Sequence, residues 1–315
     1  MMIVNGYTYP SIGEETLDWW LERLTWVSNF SYGLKEDGSL TNLDDERIIE
    51  EADDEGVRPM MVITSMDEEG MFNEGPAVSV FTNRQARENL INNICLTIER
   101  KGLGGVDFDF EYISGEYADD YVDLVRETRR RLAPWGYLTT VALAPKTSDD
   151  QPGQIYEGHD YEGMGQAADY CLLMTYEWGY AYGEPMAVSP MKNVRQVVEY
   201  ALTRIPAEKI LLGLNNYGYD WILPFKQGQR AETLLTRQAA KRARQYGAQV
   251  IFDETARAPF FEYRDSQGRD RIVWFENEKS WSERIALVYE YGLAGVGIWN
   301  IMDIFPGRVP LPELR

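Results

Sequence analysis

The chain has 315 residues, of which 44% are hydrophobic and 13% aromatic, so it can bury a large core and a disordered chain is excluded. Its 51 acidic and 31 basic residues give a formal net charge of −20, which repels nucleic-acid phosphates and anionic lipid headgroups. We therefore expect neither a nucleic acid nor a membrane as a partner.

Short apolar segments, predicted to be β-strands, alternate along the chain with amphipathic helical patterns. Before the first of them, residues 1–6 lack the basic region of a secretion signal, so we expect either no export by that route or a chain cut from a longer precursor. The predicted strands span residues 2–7, 26–32, 58–64, 105–111, 137–144, 170–176, 210–215 and 295–300. Helices are predicted, among other places, over residues 40–55, 83–101, 117–132, 192–204 and 280–291.

This alternation predicts an α/β fold, because a crossover helix returns each strand in the direction of the one before it. Eight such units in a chain of this length predict a closed (β/α)8 TIM barrel. The rhythm breaks at residues 217–275, where a helix over 233–246 precedes strands over 249–253, 260–264 and 272–275. We predict a small α+β insertion there, between strand seven and its helix, within one catalytic domain over residues 1–315.

Several polar residues are interpreted without a catalytic role. His159 is the one histidine, and its glycine-rich surroundings indicate a loop residue rather than a catalyst. Cys95 and Cys171 are predicted to be buried free thiols, since two cysteines make no disulfide scaffold in a chain this long. The acidic runs Asp53-Asp54-Glu55 and Asp67-Glu68-Glu69 are predicted to be solvated, the second of them at the rim of the barrel mouth.

The fourth predicted strand carries the most informative pattern in the chain. Three apolar side chains alternate there with three acidic ones, namely Val106, Phe108 and Phe110 with Asp107, Asp109 and Glu111. In a parallel barrel the apolar face packs against helices, so the carboxyls point inward, roughly 6–7 Å apart, and rise towards the C-terminal mouth. An exposed antiparallel strand would show the same alternation, but the neighbouring helices indicate that both faces are covered.

Such a column of acids indicates a function, because like charges in a poorly solvated interior cannot all stay ionised. A carboxyl held protonated near neutral pH is a general acid, which glycosidic cleavage requires. A divalent metal would also neutralise the charges, but one strand spaces its carboxyls too widely for all three to bind one ion. We expect no metal and no cofactor, and keep a metal-dependent hydrolase as an alternative.

Residues 104–111 resemble the catalytic signature of glycoside hydrolase family 18, Asp-Gly-x-Asp-x-Asp-x-Glu, with Gly104 in place of the first Asp. Met174-Thr175-Tyr176-Glu177 is similar to the family segment Met-x-Tyr-Asp, and Trp299 to the tryptophan that closes strand eight. Residues 174–180 and 216–221 resemble, more narrowly, the bacterial spore cortex-lytic branch, whose members are N-acetylglucosaminidases acting on peptidoglycan.

The resemblance implies substrate-assisted catalysis, in which the acetamido group of the sugar attacks its own anomeric carbon. Glu111 is then the acid and base, and Asp109 orients the acetamido group. Asp107 modulates the charge of Asp109, the Tyr176 hydroxyl holds the acetamido group, and Trp299 stacks beneath the sugar.

Further substrate-binding residues are expected among side chains near the strand ends, namely Met174, Glu177, Tyr217 and Tyr7. Tyr217, with Tyr219 and Trp221, either lines the cleft or forms the hydrophobic seam of the insertion. We expect a monomer that acts on an N-acetylated glycan at the spore cortex, the spore coat or the cell wall. Cortex peptidoglycan is favoured over chitin and N-glycans, and an inactive carbohydrate-binding protein is a further alternative.

Overall fold

The structure, a computed structural model, describes residues 2–66 and 71–312. The acidic run Asp67-Glu68-Glu69 lies outside the described residues. Within the described residues, no helix combines the length and apolar character needed to cross a bilayer.

Eight parallel strands close into a barrel, as predicted. They are β1 (Ile3–Thr8), β2 (Trp26–Gly33), β3 (Arg58–Thr64), β4 (Gly105–Asp109), β5 (Leu138–Leu143), β6 (Tyr170–Leu173), β7 (Ile210–Asn215) and β13 (Gly295–Trp299). Neighbours in the chain are neighbours in the barrel, and the pairing of β1 with β13, from Ile3 opposite Gly295 to Tyr7 opposite Trp299, closes it. The predicted (β/α)8 barrel is therefore confirmed.

Helices lie between the strands. They are α1 (Glu14–Leu21), α2 (Glu46–Asp54), α3 (Glu74–Thr82), α4 (Arg84–Lys101), α5 (Ala118–Leu132), α6 (Gln154–Glu157), α7 (Tyr161–Ala167), α8 (Met191–Ala201) and α10 (Glu278–Tyr291). Helix α2 begins six residues later than predicted, because Leu40 pairs with Leu34 in a β-bridge and the buried Asp45 carboxylate accepts hydrogen bonds from Tyr32 and Lys101.

Two barrel strands end earlier than predicted, and both ends matter for the site. β4 ends at Asp109, two residues short of the prediction. β6 ends at Leu173, three residues short, because the Thr175 and Tyr176 amides bond to carbonyls two residues back, at 2.8 Å each. At both places the chain stops pairing with the neighbouring strands at the C-terminal mouth of the barrel.

Two apolar cores lie on opposite sides of the barrel wall. The outer core packs the strands against the helices and contains Val106, Phe108 and Phe110 of the β4 segment, all fully buried. The inner core fills the barrel and includes Met60 and Leu172. The predicted alternation on β4 is therefore observed, with the acids on the inner face. Cys171 is a buried free thiol as predicted, whereas Cys95 on α4 is only partly buried.

Between β7 and α10 lies a five-stranded antiparallel sheet that carries one helix. Its elements are β8 (Tyr217–Ile222), β9 (Glu232–Leu235), α9 (Thr236–Gln245), β10 (Ile251–Asp253), β11 (Ala258–Arg264) and β12 (Asp270–Trp274). The order is β10-β11-β12-β8-β9, and β8 and β9 were not predicted as strands. A hairpin turn joins β11 to β12, where the Gly268 amide donates to the Asp265 carbonyl at 2.9 Å. A separate small core, which includes Phe261 and Val273, holds α9 on this sheet.

Candidate active site

A cavity of about 340 Å³ opens at the C-terminal ends of the barrel strands. This volume lies within the usual range for small-ligand sites. Most of the predicted site residues line it, namely Asp109, Glu111, Met174, Tyr176, Glu177, Tyr217 and Trp299. Tyr219 lines it as well, whereas Trp221 is buried beside it and donates its indole N–H to the Gly183 carbonyl at 2.9 Å. All three aromatic residues of β8 belong to the inner core of the barrel and not to the separate core of the inserted sheet.

Asp107 lies below the cavity, within the barrel, and only 1% of its surface is exposed. The Tyr7 hydroxyl donates to its Oδ2 at 2.6 Å, and the Thr140 hydroxyl donates to its Oδ1 at 2.6 Å. Burial raises the pKa of Asp107 to about 6, although both hydroxyls favour the ionised form. Tyr7 was predicted to bind substrate. Its hydroxyl instead contacts Asp107, and Tyr7 is not among the cavity-lining residues.

Asp109 sits one step higher on β4 and reaches the cavity. It is 6% exposed, and within the described part of the chain its buried Oδ1 has no hydrogen-bond partner. Burial raises its pKa well above the usual range for an aspartate, and the negative charges of Glu111 and Asp107 raise it further. A buried carboxyl oxygen without a partner is costly, so this atom is available to a ligand.

Glu111 follows the end of β4 and is half-buried at the cavity wall. Burial raises its pKa to about 7, and the negative charge of Glu177 adds to this effect. A substantial fraction of Glu111 is therefore protonated at neutral pH, which is the state that a general acid requires.

Glu177 lies at the solvent-accessible side of the cavity and is held by two tyrosines. The Tyr217 and Tyr219 hydroxyls both donate to its Oε1. Apart from glycines, the positive φ values in the described residues are those of Tyr112 (59°), Glu177 (68°) and Arg257 (54°). Tyr112 directly follows Glu111, so two of these three strained backbone positions are at the site, where such strain commonly accompanies function.

Tyr176 and Trp299 both line the cavity. The Tyr176 ring fits because residue 213 is glycine, since a Cβ there would lie 2.9 Å from its Cε1 atom and 2.4 Å from the Leu173 carbonyl oxygen. The Trp299 ring packs against Phe30, with ring centroids 4.7 Å apart. Both aromatic side chains are therefore fixed by the barrel beneath them.

Sequence reasoning missed the remaining cavity-lining residues, which are Phe30, Met66, Phe72, Pro145, Ile155, Thr233, Leu235 and Asn300. Asn300 directly follows β13, and this position at the C-terminal end of a barrel strand is by itself a signal for a site. Phe30 lies within β2 and carries no such signal. Thr233 and Leu235 belong to β9, which was not predicted, and neither Phe72 nor Ile155 of the short helix α6 carries a local signal.

His159 was interpreted as a loop residue, and it does lie between helices, but it is fully buried. The Ala144 amide donates to its Nδ1 at 2.7 Å, and its Nε2 is 3.0 Å from the Phe110 carbonyl oxygen. The described residues include no group of three acidic, histidine or cysteine side chains arranged to hold a metal ion.

Gly104, the position that departs from the family signature, lies beneath the side chain of Arg58. A Cβ on residue 104 would lie 2.2 Å from the Arg58 Cγ atom. Gly105 lies close to β5, because a Cβ there would be 2.3 Å from the Leu138 carbonyl oxygen.

Comparison with known proteins agrees with this geometry. The cortical fragment-lytic enzyme of Bacillus anthracis is 37% identical over 285 residues, which cover 90% of this chain and 66% of that protein. The enzyme of the same name from Bacillus subtilis is 39% identical over 289 residues, with the same coverage of 90% and 66%. The chain thus spans slightly less than two thirds of the length of these curated relatives.

Among solved structures, the Bacillus cereus spore cortex-lytic enzyme SleL superposes with a TM-score of 0.93 at 35% identity, covering 97% of this chain and 72% of that one. The sequence profile of "Glycosyl hydrolases family 18" matches residues 24–303. The family predicted from the sequence is thereby confirmed: the chain belongs to glycosyl hydrolase family 18.

Proposed function

We propose that this chain is a retaining glycoside hydrolase that cleaves β-linked glycans next to an N-acetylglucosamine unit, through an oxazolinium intermediate. The observation that carries the proposal is the pairing of two carboxyls at one cavity. Glu111 has a pKa raised to about 7, and Asp109 has a carboxyl oxygen with no hydrogen-bond partner in the part of the chain that the structure describes. The first suits proton transfer, and the second suits an acetamido N–H.

In the first step, Glu111 donates its proton to the glycosidic oxygen as the bond from that oxygen to the anomeric carbon breaks. The acetamido oxygen of the same sugar forms the new bond to the anomeric carbon, which gives a cyclic oxazolinium ion. Asp109 accepts the acetamido N–H and stabilises the positive charge. In the second step, Glu111 takes a proton from water, whose oxygen attacks the anomeric carbon and opens the ring with net retention.

The other cavity residues position the sugar for this step. The Tyr176 hydroxyl donates to the acetamido group, and the face of Trp299 supports the sugar ring. Asp107, held by Tyr7 and Thr140, keeps a second carboxyl beneath Asp109 and so influences how readily Asp109 ionises. Met174 packs at the base of the cavity, and Glu177 presents an acceptor at its open side.

For the substrate, we propose the peptidoglycan of the spore cortex, and association with the spore cortex as the location. The names of the relatives support both, since the relatives are cortical fragment-lytic and spore cortex-lytic enzymes. The net charge of −20 weakens electrostatic attraction to an anionic wall polymer, so chitin and N-glycans are the competing substrates.

Mass spectrometry of digests tests the proposal directly. Purified cortex peptidoglycan, chitin oligomers and a high-mannose N-glycan are incubated with the enzyme, and new reducing ends are identified. We expect new N-acetylglucosamine reducing ends from cortex peptidoglycan. De-N-acetylated chitin oligomers are the matched control, because they lack the internal nucleophile. Comparable turnover of these oligomers would refute substrate assistance, while binding without turnover of any glycan would favour an inactive carbohydrate-binding protein.

A thiazoline analogue of the cyclic intermediate gives an independent test. It has the fused-ring geometry of the intermediate and becomes positively charged when its ring nitrogen is protonated, so it should inhibit far more strongly than product N-acetylglucosamine. Inhibition no stronger than that by the product would argue against an oxazolinium intermediate.

A further inference from the structure

The one histidine of the chain is bonded on both sides of its ring to the backbone beside the site. The Ala144 amide can only donate, so Nδ1 of His159 is the acceptor and the ring proton lies on Nε2. That N–H then donates to the Phe110 carbonyl. The neutral ring satisfies both backbone groups at once, and it contacts them at the ends of two adjacent strands.

The His159 ring lies where a regular inter-strand hydrogen bond between β4 and β5 would otherwise form. At the base of β4 and β5 the Gly104 carbonyl accepts a hydrogen bond from the Leu138 amide at 3.1 Å. Six residues further along both strands, the corresponding pair is the Phe110 carbonyl and the Ala144 amide. These two groups bond to opposite sides of the His159 imidazole instead of to each other. The strands therefore separate by the width of a ring at the mouth of the barrel.

This separation lies directly next to Glu111. The Phe110 carbonyl belongs to the peptide group that leads into Glu111, so its direction sets where the Glu111 side chain points. On the other side of Glu111, Ile113 lies against Gly158, where a Cβ would be 2.5 Å from the Ile113 carbonyl oxygen. Gly158 and His159 thus hold the chain on both sides of the proposed acid.

We propose that His159 is a positioning residue for Glu111, acting as a spacer between the ends of β4 and β5 that opens the barrel mouth and fixes the direction of the Glu111 side chain. This inference rests on the proposed role of Glu111. It differs from a catalytic role, because His159 touches backbone atoms and is not among the cavity-lining residues.

The surroundings keep the spacer in one charge state. Lys146 donates to the His159 carbonyl at 3.0 Å, and the Tyr161 hydroxyl donates to the Ala144 carbonyl at 2.6 Å. These two hydrogen bonds fix the backbone at Ala144 and at His159. Burial lowers the pKa of His159 to about 4, and the positive charge of Lys146 acts in the same direction. The ring stays neutral above that pH, and both of its hydrogen bonds persist while Glu111 titrates.

Nitrogen NMR reads this geometry without ambiguity, because the chain has one histidine. A protein free of any histidine tag should show one imidazole, protonated at Nε2 and unchanged between pH 5 and 8 on the basis of a pKa of about 4. An imidazole protonated at Nδ1, or one that titrates with the ordinary pKa of about 6.5, would overturn the proposed geometry.

Kinetics of two variants test the functional claim. His159→Phe fills the space but provides neither hydrogen bond, and we expect kcat to fall about 10- to 100-fold, with a much smaller change in KM, since small misplacements of a catalytic group have effects of this size. The alkaline limb of the pH profile should move to lower pH, because a displaced Glu111 carboxyl is better solvated. His159→Gln keeps an acceptor and a donor in a similar arrangement and should restore most of kcat and the pH limb.

Controls separate positioning from general destabilisation. Ile98→Ala removes a fully buried side chain of α4, so it should lower the unfolding free energy and leave kcat and the pH limb unchanged. If His159→Phe does not fold, His159→Asn replaces it, because its shorter side chain cannot span both backbone groups. If Glu111→Gln is inactive but His159→Phe, or His159→Asn in its place, changes neither kcat nor the alkaline limb of the pH profile, this inference alone fails. If Glu111→Gln remains active, the proposed function fails.

Discussion

Two buried acidic sites, one in the inserted sheet and one in the barrel, differ in how their carboxyl groups are paired. Asp220 on β8 is fully buried and surrounded by donors. It accepts hydrogen bonds from the Arg271 guanidinium at 2.7 Å, from the Tyr263 hydroxyl at 2.6 Å and from Arg242. Asp109 on β4 is also buried, yet one of its oxygens has no partner among residues 2–66 and 71–312.

The difference shows what each site is for. A buried carboxylate that only has to be stable is paired with cations and hydrogen-bond donors. The column of Asp107, Asp109 and Glu111 forms no ion pair within the described residues, and the hydroxyls that bond Asp107 are neutral. The barrel therefore keeps acids whose charges are not compensated by cations among the described residues. Their raised pKa values and the Oδ1 atom of Asp109 become available for chemistry.

The largest expected effect comes from removing the proton donor of this column. Glu111→Gln keeps the size of the side chain but cannot transfer a proton, so we expect kcat on an N-acetylated substrate to fall about 10³-fold or more. Circular dichroism should show an unchanged fold. Activity near that of the unchanged protein would mean that Glu111 is not the acid.

The second largest loss of activity is expected from changing Asp109, whose Oδ1 atom has no hydrogen-bond partner among the described residues. Asp109→Asn should lower kcat about 10²- to 10³-fold, because a neutral amide stabilises the positive intermediate less well. The free energy of unfolding should stay the same or rise, since the variant no longer buries an uncompensated charge. Urea unfolding measures this, and a large loss of stability would contradict the contrast drawn with Asp220.

The paired site should respond in the opposite way. Asp220→Asn removes the nearest counter-charge of the buried Arg271 and leaves it only the longer ion pairs with Asp265 at 3.5 Å and Glu232 at 3.8 Å, so we expect the protein to lose up to about 3–5 kcal/mol of unfolding free energy. Its kcat per folded molecule should fall far less than that of Asp109→Asn. Urea unfolding and active-site titration together measure both quantities, and an unchanged unfolding midpoint would show that the ion pairs contribute little.

The smallest effect is a shift in pH dependence. Glu111 must be protonated to act as the acid, so activity should fall as the pH rises through its pKa of about 7. Glu177→Gln removes a negative charge that raises this pKa, so the pKa of Glu111 falls and the alkaline limb moves to lower pH. The profile of kcat/KM against pH measures the shift. A limb that stays in place would show that Glu177 does not act on Glu111 through its charge.

Local sequence patterns were enough to predict the barrel and the acidic column. Both depend on short-range rules: side chains alternate along a strand, and a helix between two strands makes them parallel. The positions of Asp107, Asp109 and Glu111 on one face follow from the printed residues alone. Tyr176, Trp299 and Glu177 were placed near the site by their positions at strand ends and by the family resemblance.

Features that depend on residues far apart in the chain could be recognised only in the three-dimensional structure. Strand β8 contains Gly218 and Asp220, which disfavour strands, and it forms because β12 and β9 pair with it. The space that Gly213 leaves for Tyr176 and the insertion of His159 between β4 and β5 have no local signature. Local patterns predict where a side chain points along its own strand, whereas its contacts depend on which other segments pack against it.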